Sequence, residues 1–245
     1  MEEQEYGKMY ELEESFWWFR GKDRILHGLL KKTGAGATRG GKILDIGCGT
    51  GRVLENLRVY GETYGIDFSA TAIAFCRERG LKKLVRGTGD VLPFRDGVFD
   101  VVTALDVFCH RGIRDNKAAL KEVARTLRSG GRFILSEPAF MFLYGPHDES
   151  QHCKQRFNAA EMKELMASCG LKIEKLSYFN FILFPLVLAH RLAMRWSGLK
   201  SQSDVKEINP VLNSILFLFL RLEAGLLRFM NLPAGSSVIC VARKP

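Results

Sequence analysis

The chain has 245 residues, 47% hydrophobic and 26% charged, enough for one compact α/β domain with a sizeable core, with or without an elaboration. Its six cysteines are scattered, no two form a C-x-x-C pair and no secretory leader is seen. This favours reduced thiols in a cytoplasmic protein over a disulfide framework or a zinc site. The net charge of +9 raises nucleic acid or an anionic membrane as partners, but no run of five basic residues occurs and the first fifteen residues are acidic, so nucleic-acid binding is not expected.

The first predicted elements are one or two helices ending near Lys32. They include Phe16-Trp17-Trp18-Phe19-Arg20, which either packs on the sheet or closes over a ligand. A glycine-rich connector covers residues 34–41. Then Ile43-Leu44-Asp45-Ile46 reads as a buried strand running into the turn Gly47-Cys48-Gly49-Thr50-Gly51, and Arg52 opens a helix. Strand, glycine turn and helix N-terminus make a nucleotide-type binding corner. Tyr64–Asp67 is a second strand ending in a carboxylate, and Ser69 caps the helix that follows. A third strand-like piece closes on Gly89–Phe94, and Phe99–Asp106 is a fourth strand.

A helix over Asn116–Leu127 leads to a turn and a fifth strand at Arg128–Pro138. After a loop at 144–157 come a helix over Ala159–Cys169, stopped by Gly170, and an outer strand at Leu171–Leu176. The last strand is Ser237–Arg243. Between these two strands lies an apolar stretch whose runs at 181–189 and 215–220 are too short to span a bilayer. Three readings of it stay open: a helical hairpin packing on the core or forming a homodimer interface, a lid over a hydrophobic substrate, or a membrane-peripheral element helped by Arg191, Arg195, Lys200, Arg221 and Arg228.

Taken in order, DIGCGTG, YGIDFS, GDVLPF, FDVVTALDV and LRSGGRFILSEP resemble the class I S-adenosylmethionine (SAM)-dependent methyltransferases. The turn is G-x-G-x-G, whereas the dinucleotide fingerprint is G-x-G-x-x-G, which argues against a nicotinamide cofactor. The resemblance implies a Rossmann-like α/β fold. Its seven-stranded, mostly parallel sheet has helices on both faces and an antiparallel last strand, preceded here by the apolar helical insertion. The chain then divides into an N-terminal helical cap (1–40), a SAM-binding core (41–178), the insertion (179–233) and the final strand (234–245) of one domain.

The cofactor implied is SAM, with S-adenosylhomocysteine as product. Asp45, Gly47, Cys48, Gly49 and Gly51 form its turn, Asp67 with Phe68 holds the ribose, and Asp90 with Val91 meets the adenine. Asp106 and Phe108 lie on the methionine side. From the N-terminal preface, Trp17 offers an indole face to the sulfonium, an attraction of about 0.5–2 kcal/mol, while Arg20 and Tyr10 reach the carboxylate. His110 is the candidate general base, on the premise of a pKa near neutrality. His147, His152 and Arg156 belong to a loop that either recognises a polar or anionic substrate group or is held together by its own hydrogen bonds. The two histidines, five apart on a predicted loop, do not suit a metal. The reaction expected is in-line methyl transfer to a small or lipophilic acceptor. The rivals are a SAM-binding protein without turnover and a membrane-peripheral protein.

Overall fold

Strand β1 (Gly41–Ile46) sends Ile43 to one face of the sheet and Leu44 and Ile46 to the other, and this alternation sets the layers of the molecule. The computed structural model describes residues 3–34, 40–197 and 208–245. Its other strands are β2 (Gly61–Asp67), β3 (Leu84–Arg86), β4 (Phe99–Leu105), β5 (Leu127–Pro138), β6 (Lys172–Phe179) and β7 (Ser237–Arg243). They form one seven-stranded sheet in the order β3-β2-β1-β4-β5-β7-β6. Neighbours from β3 to β5 pair in parallel, and β7 runs antiparallel to both β5 and β6. The strand order reverses between β1 and β4, so the crevice beyond their C-terminal ends is where this topology leaves room for a ligand.

The third strand is shorter than its sequence suggests. It ends at Arg86, and residues 87–98 follow as irregular chain rich in glycine, aspartate and proline.

The helices are α1 (Glu3–Leu12), α2 (Trp17–Thr33), α3 (Arg52–Leu57), α4 (Ala70–Glu78), α5 (Asn116–Thr126), α6 (Pro146–Ser150), α7 (Ala159–Ser168), α8 (Phe184–Ser197) and α9 (Pro210–Leu226). Their starts are capped as the sequence directs: Ser69 accepts the Ala72 N–H, Asp115 those of Lys117 and Ala118, and Asn158 forms a reciprocal box with Glu161. On one face of the sheet, Ile25, Leu26, Leu29 and Leu30 of α2 join Ala224 and Leu227 over Ile43, Val101, Ile134 and Ile239. On the other, α5 and α7 bring Leu120, Val123, Met162 and Met166 against Leu44, Val102 and Phe133.

Helices α2 and α9 touch closely because Gly21 has no side chain: a Cβ there would lie 2.2 Å from Leu220 Cδ1. The stretch between β6 and β7 thus carries two helices, the second seated on the N-terminal one. Residues 35–39 of the connector and 198–207 of the apolar stretch, including Lys200, lie outside the described residues, as does the Arg195 side chain. Among the described residues no helix is long and apolar enough to cross a membrane.

Candidate active site

The turn after β1 is built for close approach. Gly47 and Gly49 both have positive φ (67° and 53°), and a Cβ on Gly47 would sit 2.5 Å from Val107 Cγ2. The Gly49 N–H is tied to Asp67 Oδ2 at 3.0 Å, and the Ser69 N–H donates to Asp67 Oδ1 at 2.9 Å. The second strand's acid therefore braces the first strand's loop while keeping free lone pairs on both oxygens. Burial raises the Asp67 pKa, and these N–H bonds oppose the shift. Asp45 is buried too: the Thr103 hydroxyl donates to its Oδ1 at 2.6 Å, and burial pushes its pKa up to about 7. Next comes the Thr103 bond, which lowers it, then Asp67, which raises it, and Lys22, which lowers it.

These groups open into one cavity of about 910 Å³, near the upper end for ligand pockets. Of the expected cofactor residues, Asp45, Gly47, Cys48, Gly49, Asp67, Phe68, Asp106, Trp17 and Arg20 line it. The glycine cradle and the buried Asp45 and Asp67 fit an adenosyl compound, with hydrogen-bond acceptors for ribose hydroxyls and negative charge for a cation.

Other expected residues stand elsewhere. Gly51 (φ 86°) caps α3 against Cys76 and Leu81 behind the turn. Tyr10 is drawn onto α4, stacked on Phe75 at 4.6 Å beneath the Arg79 guanidinium, and Tyr6 on the same helix lines the cavity instead. Val91 is solvent-exposed, and both Asp90 oxygens accept the Arg114 N–H, so Gly87, Thr88 and Gly89 form that wall. Phe108 is a core residue beside Phe133, flanked by the cavity residues Val107 and Cys109. Arg20, though it lines the cavity, lies over the Phe217 ring at 4.0 Å, bridging the preface to α9.

Asp106 adopts φ 58°, and its carboxylate pairs with the Lys22 ammonium of α2. Lys22 carries no sequence motif; only the docking of α2 brings it here. The loop after β4 hangs on Glu137, which is wholly buried and accepts the N–H groups of Val107 (3.1 Å), Phe108 (2.7 Å) and Cys109 (3.0 Å). Burial, then Asp106, pushes its pKa up to about 8 against those three bonds. Asn180 (φ 59°) is buried in the cavity wall. Its Nδ2 donates to Ser236 Oγ at 2.7 Å, and its Oδ1 has no partner among the described residues. Neither Glu137 nor Asn180 stands out in sequence.

His110 lines the cavity, but the premise of a near-neutral pKa does not hold: burial lowers it to about 4. Its imidazole is therefore neutral at pH 7. It sits with Cys109 and Cys153 in a group whose ligand atoms lie within 4.8 Å of one another. The two Sγ atoms are 3.0 Å apart. Two thiolates on one tetrahedral zinc at about 2.3 Å stand about 3.8 Å apart, so this geometry describes a thiol–thiol contact.

The segment expected as loop contains the short helix α6, opened by Pro146. His147 faces the cavity, whereas His152 (φ 55°) lies off its wall, its carbonyl accepting the Arg111 N–H. Arg156 is buried and bidentate to Asp148 (Nε–Oδ1 and Nη2–Oδ2 both 2.9 Å), and Nη1 donates to the Ala139 carbonyl. Its charge is thereby matched within the segment, while both Arg156 and Asp148 line the cavity.

Residues 44–135 match the methyltransferase-domain family model. The chain is 34% identical over 133 residues to probable tRNA methyltransferase 9B of Bos taurus, covering 54% of this chain and 28% of that protein. It is 36% identical over 123 residues to demethylmenaquinone methyltransferase of Staphylococcus aureus, covering 44% and 50%. The chain thus spans half or less of the length of these curated relatives. In fold it resembles a SAM-dependent methyltransferase from Thermotoga maritima (TM-score 0.58, 21% identity, 99% of this chain and 96% of that one). A glycine cradle at the switch point and two buried acids beside it fall in the part of the chain that matches the domain model, and together they lead to one conclusion: residues 44–135 carry a methyltransferase domain.

Proposed function

We propose that the chain moves the methyl group of SAM to a small, lipophilic acceptor. The observation that carries this reading is one continuous cavity: the glycine turn and acids form one part of its wall, and Leu186, Val187, Leu212 and Leu216 of α8 and α9 form another. A polar cradle with an apolar annex suits a charged donor and an apolar acceptor side by side. The demethylmenaquinone methyltransferase relative supports the apolar choice, since its name specifies a lipophilic acceptor.

Bound SAM supplies an activated methyl on a sulfonium leaving group. The protein's part is to align and to exclude water, worth roughly 7–11 kcal/mol when two reactants are well oriented. Asp67 and the Gly47–Gly49 turn hold the adenosyl portion, and Asp45 adds negative charge behind it as it ionises through about pH 7. Trp17, lining the cavity, closes the site from the N-terminal side. His110, neutral at pH 7, positions the acceptor through a hydrogen bond instead of removing its proton in a separate step.

Purified protein with SAM and a panel of quinols, isoprenoid alcohols and lipophilic phenols should release S-adenosylhomocysteine with at least one apolar acceptor. Turnover with transfer RNA and with none of these compounds would replace this reading by a nucleic-acid one. SAM binding with no turnover on either class would favour a binding protein.

A further inference from the structure

The outer face of α9 is apolar where a surface helix is ordinarily polar. Val211, Ile215, Leu218, Leu222, Leu226 and, just past the helix, Phe229 are 44–85% exposed. At 100° per residue these six fall within an arc of about 80°. The opposite face, with Leu220, Ala224 and Leu227, is already buried, so the stripe is not needed to hold α9 in place. Aligned apolar exposure on this scale marks a surface made for contact.

Charge narrows what the contact is. Arg221 and Arg228 are exposed along one border of the stripe, and neither joins an ion pair among the described residues. The only acid in residues 208–245 is Glu223, which is fully buried and accepts the Phe181 and Ile182 N–H groups. Among the described residues, the exposed side of α9 is therefore apolar and cationic, with no acid of the helix itself to meet its arginines. A two-fold pairing of this helix with its copy would bring like charges together with no acid of α9 exposed between them. An anionic lipid surface satisfies both features, with headgroups for the arginines and acyl chains for the stripe.

The stripe also adjoins the site. Leu212 is 47% exposed on α9 and lines the cavity, as does Leu186 of α8, 66% exposed. We propose that α9 docks this protein onto an anionic bilayer, so that the apolar mouth of the cavity between α8 and α9 faces the lipid that delivers the acceptor. The route of delivery rests on the lipophilic acceptor proposed above; the docking does not.

The test is co-sedimentation of the full chain with phosphatidylcholine vesicles, with or without phosphatidylglycerol. Leu222→Glu/Phe229→Glu and Arg221→Gln/Arg228→Gln variants are compared, with SAM affinity measured by calorimetry in parallel. Wild type should pellet with the anionic vesicles and leave them at high salt. Each double variant should bind at least about tenfold more weakly with SAM affinity unchanged.

Wild-type protein that binds SAM yet stays in the supernatant, or binds neutral vesicles equally well, overturns the proposal. So does a dimer in light scattering that Leu222→Glu/Phe229→Glu makes monomeric, which would assign the face to a second copy. Loss of SAM binding in the wild type would instead strike the methyltransferase reading, and vesicle binding would still decide the docking.

Discussion

Asp67 shows how much one side chain can hold at this corner. Its two oxygens take the Gly49 and Ser69 N–H groups, joining the ends of two strands, and their remaining lone pairs are offered to ribose hydroxyls. Asp67→Ala should weaken SAM by about 1.5–3 kcal/mol in titration calorimetry, as for hydrogen bonds to a charged group. Asp67→Asn, which keeps one carbonyl oxygen, should recover part of that loss.

Asp45 makes a pH-dependent prediction. Its pKa rises from 3.8 to about 7 in the folded chain, so the protonated form is favoured there. Its contribution to stability is complete below its ordinary pKa and is lost as pH climbs through about 7. The unliganded protein should therefore melt lower at about pH 8 than at about pH 6, while SAM, a cation, should bind more tightly at the higher pH. Asp67 and Lys22 face the same carboxylate, so the comparison that isolates it is Asp45→Asn, in which both trends should flatten.

At the scale of elements, the contact between α2 and α9 decides the shape of the cavity mouth. Gly21→Ala would improve the intrinsic helix propensity of α2 by about 1 kcal/mol. The new methyl, however, would lie 2.7 Å from Leu220 Cβ, an atom with little room to move. A net loss of about 1–2 kcal/mol is expected in urea unfolding, from overpacking, with partial recovery when Leu220→Ala is added.

The loop after β4 depends in the same way on one residue of β5. Glu137→Gln leaves a single oxygen for three N–H donors, so at least one of the Val107, Phe108 and Cys109 bonds is broken. About 1–3 kcal/mol of stability should be lost, with faster amide exchange confined to residues 107–109. Uniform protection across the chain would show that the loop is held by something else.

At the scale of the whole molecule, seven strands with a reversal between β1 and β4 create a crevice, and helices from both ends of the chain wall it in. The strands and caps were legible because their signals are local. Ile43, Leu44 and Ile46 make a near-continuous apolar run, Ser69 stands at a helix start, and the glycines of 47–51 permit what other residues forbid. The third strand was overextended because its apolar residues run on past Arg86 into chain that glycine and proline keep irregular.

By itself, then, the sequence determined the sheet, its turn and the acids beside it, since each is written in neighbouring residues whose backbone preferences do not depend on distant contacts. Tertiary structure alone decided the rest. Lys22 meets Asp106 only because α2 docks over the sheet, Glu137 reaches the loop after β4 only because β4 and β5 are neighbours, and Arg156 pairs with Asp148 in the cavity wall. It likewise selected Tyr6 over Tyr10 for the cavity and took His110 far below neutrality by burying it. Burial and long-range pairing are properties of the packed chain, and no local pattern of residues encodes them.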